Sequence, residues 1–222
     1  MRRTILKAIN YLTPKRVLQD NHDKKVFVIG FNKTGTSSFH ELFCINRLAS
    51  QHSTSWNLDR YQCFSDGGNY HPFEKLYAQY PSSLFILNTR SLEDWLISRF
   101  LHGCRFSAEW AKPVGKDLVE KWVIHRRKYH KRVLNWFSQY PNQLCVVSID
   151  ATDWTSLVAD FCKIPRVRNV HSFKTPHLVD KASVVREVCK ALDSLQIPEA
   201  ERREQLFPAH QNLLLPFRHN IT

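Results

Sequence analysis

The sequence predicts an α/β domain in which a central parallel sheet is covered by helices on both faces. Three features carry that expectation. The stretch "KVFVIG", residues 25–30, is an unbroken apolar run closed by a glycine, the pattern of a strand buried on both sides. Helical periodicity replaces it within a few residues, so a strand feeds a helix through one short loop. Two later segments, "EKLYAQYPSSLFILNTR" (74–90) and "LNWFSQYPNQLCVVSID" (134–150), each run from a helical pattern through Gln-Tyr-Pro and two polar residues into a short apolar strand. A residue before proline is pushed out of the helical region, so each helix must stop there. The likeness is a shared connection and not a duplicated domain. Strands alternating with helices give a parallel sheet, whose ligands gather at the carboxyl ends of the strands.

Taken in order, the chain opens on "MRRTILKAINYL", which is basic with a short apolar stripe at Ile5, Ile9 and Leu12. Lys7 interrupts the stripe and no small-residue cleavage site follows. Residues 1–24 are therefore set apart as a basic amphipathic segment. It is expected to pack against the domain, the other reading being a helix lying on a membrane surface. The first strand fills 25–30, and a helix starts near Ser37. A second strand is expected just before Asp66. The strand ending at Arg90 leads into a helix over Ser91–Leu101, started by a capping box of Ser91 and Asp94. A long helix is expected from about Lys116 to Tyr140, another over Trp154–Cys162, and a last one over Asp180–Leu195 before a polar, proline-broken tail.

Size and composition set limits. The 222 residues, 43% hydrophobic and 23% charged, suffice for one domain with its own core. With 32 Lys and Arg against 20 Asp and Glu, the net charge of +12 favours anionic partners: nucleic acid, acidic lipid or a charged small ligand. The six cysteines, at 44, 63, 104, 145, 162 and 189, form no Cys-x-x-Cys pair and several sit in apolar runs. They read as reduced, buried thiols in a cytoplasmic protein. No run of 18 apolar residues occurs, so no membrane-spanning helix is expected, and membrane contact is limited at most to the N-terminal segment.

The loop "GFNKTGTSSFH" has the outline of a nucleotide-binding P-loop, but Gly35 is followed by Thr36 where a lysine belongs. In a nucleoside triphosphatase that lysine reaches the β- and γ-phosphates, and the next hydroxyl holds magnesium. What remains is still an anion cradle: Gly35, the hydroxyls of Thr34, Thr36, Ser37 and Ser38, and the N–H groups of a helix start. Lys33 stands at the crown of the loop. That placement suits a single phosphate with a reactive substituent better than a magnesium-chelated triphosphate.

This loop resembles the 5′-phosphosulfate loop of sulfotransferases that use 3′-phosphoadenosine 5′-phosphosulfate (PAPS), especially a branch reading Gly-x-x-Lys-Thr-Gly-Thr-[Ser/Thr]-Ser. The stretch "LFILNTRSLEDWLISR" adds Arg90 at a strand end and Ser98 eight positions on, which resembles the pair that holds the donor's 3′-phosphate in that family. The likeness runs from about 25 to 165 and implies a P-loop-like sulfotransferase fold over 25–222, with PAPS as donor and adenosine 3′,5′-bisphosphate (PAP) as product. It weakens after Pro165, where the family's Arg-Lys-Gly element over the adenosine is missing; Arg166, Arg168 and Lys174 are the cations available to replace it.

Sulfuryl transfer is an in-line displacement, in which the protein aligns reactants, stabilises the leaving oxygen and removes the acceptor's proton. Lys33 suits the second task, and no metal is required. For the base, the resemblance points to an acidic residue or histidine near 60–72. Asp66 is the first candidate and His71 the second, with Gly67 and Gly68 giving a substrate room to approach. Ser65-Asp66-Gly67-Gly68 is equally a good turn. His40 stands just past the loop, to touch substrate or to pack. No histidine has metal-ligand spacing. The run "HRRKYHKR" (125–132) reads as the solvated face of a helix, or as a patch attracting an acidic glycan acceptor. The acceptor itself, a small molecule or a glycan, is not encoded in any pattern. Two other readings stand beside this one: a kinase using Asp150 to hold magnesium, and a nucleic-acid-binding module using the positive charge, although no nucleic-acid reader motif is present.

Overall fold

Five strands form one sheet in the order β2-β3-β1-β4-β5, with β1 (Val26–Val28), β2 (Ser50–His52), β3 (Cys63–Ser65), β4 (Leu84–Thr89) and β5 (Leu144–Ser148). The computed structural model describes residues 24–104, 115–166, 170 and 180–204. β1 pairs in parallel with β3, Val26 opposite Cys63, and with β4, Val26 opposite Leu84. The helices are α1 (Thr36–Ile45), α2 (Phe73–Gln79), α3 (Leu92–Gly103), α4 (Lys116–Phe137), α5 (Trp154–Cys162), α6 (Lys181–Ser194) and α7 (Glu199–Arg203). The α/β architecture expected from the alternation is the one found.

Contacts gather the described residues into two compact units that divide at the carboxyl end of β4. The first holds residues up to Asn88 and from Tyr140 to Val170; the second holds Thr89 to Gln139 and Asp180 onward.

In the first unit, the alternation of side chains along β1 splits the core into two layers. Val26 and Val28, with Cys63, Leu84, Ile86, Cys145 and Val147, pack under α1 and α5 through Phe39, Leu42, Phe43, Trp154 and Val158. Phe27 faces the other way, stacking on Phe64 (5.3 Å) and Trp56 (5.7 Å) with Phe85 tilted against it at 5.3 Å. α2 closes this second layer, with Tyr77 6.3 Å from Phe85. In the second unit α3, α4, α6 and α7 pack together.

Several local expectations hold. α5 has the bounds foreseen. Ser91 caps α3 by accepting the Asp94 N–H, as foreseen; Asp180, read as the first residue of the last helix, is instead its N-cap and accepts from Ala182 and Ser183. Others need correction. α4 ends at Phe137, three residues short of Tyr140, because Ser138 to Tyr140 already form the turn into Pro141. β1 is only three residues long, and α7 adds a short helix in the proline-broken tail. β2, of sequence Ser-Gln-His, was invisible because it is a polar strand at the sheet's edge with no apolar alternation. The basic run on α4 is not simply solvated: Arg126 and His130 are buried with Tyr129.

All six thiols are free, five of them buried. Burial pushes Cys145 up to about 12 and Cys162 higher still, leaving little reactive thiolate at neutral pH. Iodoacetamide is therefore expected to label the half-exposed Cys189 first and the other five only after denaturation, as counted by mass spectrometry. Among the described residues, no helix is long and apolar enough to cross a membrane. The reading of the N-terminal segment falls on residues 1–23, outside the described residues.

Candidate functional site

The loop after β1 is built around one fully buried amide, Asn88 on the neighbouring strand β4. The Gly30 N–H donates to Asn88 Oδ1 at 2.8 Å. Asn88 Nδ2 donates to the Thr34 carbonyl at 3.0 Å and to Thr34 Oγ1 at 2.5 Å. Thr34 passes its own hydroxyl proton to the Phe31 carbonyl. One carboxamide thus satisfies both ends of the loop, and its orientation is fixed because every partner's polarity is known. Gly30 must lack a side chain: a Cβ there would sit 2.1 Å from the Asn88 carbonyl oxygen.

Inside this frame Lys33 adopts φ 69°, a left-handed conformation that ordinarily favours glycine, so the backbone itself sets the lysine at the loop's crown. Gly35 is also left-handed, at φ 85°, and a Cβ there would meet Ile149 at 2.5 Å. Gly35 then serves as the N-cap of α1, taking the N–H groups of Ser38 and Phe39 on its carbonyl. Of the four hydroxyls expected to line the cradle, Thr34 points inward to Phe31 and Asn88, and Thr36 and Ser38 are buried. Ser37 is half-buried and meets His52 Nε2 at 2.8 Å.

Asp66 follows β3 in a left-handed turn at φ 69°. Its Oδ2 lies 3.7 Å from His52 Nδ1, and its backbone carbonyl accepts from Trp56 Nε1. Ser37, His52 and Asp66 therefore form one chain of contacts beside the loop. The adjacent glycines do not open a way for substrate: a Cβ on Gly68 would meet the Val28 carbonyl at 2.2 Å, and one on Gly67 the Thr54 Cα at 2.8 Å. They let the turn press against β1 and the β2 loop instead.

His71 stacks on Trp56 at 4.0 Å with Nε2 3.1 Å from the Thr54 carbonyl. A carbonyl only accepts, so Nε2 carries the proton and Nδ1 presents a lone pair. His40 Nδ1 is 2.9 Å from Ser50 Oγ, which makes it a packing partner of β2.

Arg90 and Ser98 lie in the second unit, half-buried, Arg90 directly after β4 and Ser98 on α3. The backbone at Arg90 is braced by Arg126 from α4, whose Nη2 donates to the Arg90 carbonyl and whose guanidinium lies 5.2 Å over Trp95. Burial holds the Arg126 guanidinium down to about 9. The Asp94 carboxylate accepts the Ser91 hydroxyl at 2.7 Å. Among the replacements for the missing adenosine loop, Arg166 is engaged by Asp160 through two bonds of 2.8 and 2.6 Å, whereas Arg168 and Lys174 lie outside the described residues. Asp150 sits exposed in the turn after β5.

Asn88, His52 and Arg126 were missed by the sequence reading. For Asn88 a signal existed, since a lone amide inside "LFILNT" has to find buried partners. Among the described residues no three His, Cys, Asp or Glu side chains gather as a metal site. No protein-family model matches the chain, and no curated protein matches it significantly.

Proposed function

We propose that the protein is a sulfotransferase that moves a sulfuryl group from PAPS to a hydroxyl or amine of a small-molecule or glycan acceptor. The observation that carries the reading is the pinned loop: a rigid anion cradle at a strand end whose cation, Lys33, precedes its glycine. The loop and the start of α1 would receive the 5′-phosphosulfate, with Lys33 neutralising charge on the departing phosphate oxygen. Arg90, a planar fork of donors following β4, and Ser98 on α3 are assigned to the 3′-phosphate.

The acceptor's proton is assigned to His71 in preference to Asp66. His71 offers a bare Nδ1 on a ring fixed by Trp56 and Thr54, whereas the Asp66 carboxylate faces His52. The basic charge of the chain favours acidic acceptors over neutral ones.

Calorimetry with PAP in the presence of a chelator tests the donor site. The wild type is expected to bind PAP without metal, and Arg90→Ala to bind it at least tenfold more weakly. Magnesium-dependent ATP binding with no affinity for PAP would instead identify a kinase.

A further inference from the structure

We infer that His52, backed by Asp66, steers the Ser37 hydroxyl toward the bound donor phosphate and takes up a proton as the donor binds. This rests on the proposed donor site, because it assigns new residues to that site. Ser37 Oγ lies 2.8 Å from His52 Nε2, and His52 Nδ1 lies 3.7 Å from Asp66 Oδ2.

At 3.7 Å the Asp66 carboxylate is too far for a hydrogen bond and acts on the ring through its charge; that charge favours the neutral tautomer with the proton on Nδ1, in which Nε2 accepts from Ser37. Ser37 must then donate its only hydroxyl proton to His52, and it turns lone pairs toward the cradle. Lone pairs repel an anion. When the ring is protonated, Nε2–H donates to Ser37 Oγ instead, and the hydroxyl proton is released to point at phosphate. Anion binding and protonation of His52 therefore favour each other, and the coupling is reciprocal.

The titratable groups facing His52 are Asp66, from the turn after β3, and His40, from α1, whose ring lies 5.8 Å away. The carboxylate favours the imidazolium, and a charged His40 would oppose it. His40 is drawn instead to the Ser50 hydroxyl. The His52 side chain is only 17% exposed, so water competes weakly for its ring nitrogens.

The sign follows. Binding raises the pKa of His52, so its contribution to affinity is full below the free-state value and is lost as pH rises through the bound-state value. Asp66 thereby acquires a role as the counter-charge of His52. The base is then sought at His71.

The test is PAP calorimetry at several pH values, in paired buffers of different ionisation enthalpy, for wild type, His52→Gln and Asp66→Asn. PAP has its own phosphate ionisation near pH 6, which cancels when variant and wild type are compared. Relative to His52→Gln, wild-type affinity is expected to fall about tenfold between pH 6 and 8, a coupling of ordinary size. Proton uptake should fall in His52→Gln to the amount that PAP's own phosphates account for, and shrink in Asp66→Asn. In parallel, imidazole NMR of the wild type should show the His52 titration moving to higher pH when PAP is added, a readout independent of how the variants fold. Wild-type proton uptake no greater than that of His52→Gln overturns this inference and leaves the donor site standing. No PAP binding by the wild type overturns both.

Discussion

Asn88→Leu is expected to lower the unfolding free energy by about 3 kcal/mol and to weaken PAP binding by more than tenfold. Leucine keeps the branching of the amide but is bulkier and carries no polar atom, so overpacking of a fully buried position adds to the polar loss. Gly30 keeps a buried N–H and Thr34 a buried carbonyl, each deprived of its Asn88 bond, and each orphan costs roughly 1–3 kcal/mol. Asn88→Asp separates the two ends: the carboxylate still accepts from Gly30 but meets the Thr34 carbonyl with an oxygen, so at most part of the stability returns. Urea unfolding followed by tryptophan fluorescence measures the first effect and calorimetry the second. Wild-type stability in Asn88→Leu would mean that the loop does not depend on this amide.

Lys33→Gly separates stability from activity. At φ 69° a lysine carries backbone strain of about 1 kcal/mol that glycine does not. Against it stands glycine's larger entropy loss on folding, of similar size. The variant should therefore melt within a few degrees of the wild type. If Lys33 stabilises the leaving oxygen, sulfuryl transfer should nevertheless fall by about a thousandfold, some 4 kcal/mol of barrier. Radiolabelled donor, screened first against hydroxylated metabolites and glycans to find an acceptor, supplies the assay. Wild-type turnover in a folded Lys33→Gly protein would remove the lysine from the chemistry.

The contrast between these residues explains what the sequence made legible. Features whose cause is local could be read directly: the Ser91 cap three residues from Asp94, the proline-ended helices, and α5 with its bounds. Lys33 and Gly35 were readable as a loop motif, although the left-handed backbone at Lys33 was not. Asn88 bonds to a residue 58 positions away, Arg126 to one 36 away and Ser37 to one 15 away. Such pairings are made by the sheet and helix packing, and no window along the chain contains both partners. Gly67 and Gly68 show the same limit in reverse: they looked like room for substrate, but the room is filled by Thr54 and by the backbone of β1.

β2 is three polar residues at the rim of the sheet, and His52 is its last residue. A rim strand this short gives a foreign chain little to pair with, which protects against aggregation. It is also the part of a sheet most open to evolutionary revision, since exchanging a side chain there disturbs no apolar layer. Relatives adapted to more acidic or more alkaline surroundings would be expected to differ at this position while keeping Asn88 and the glycines that frame the loop.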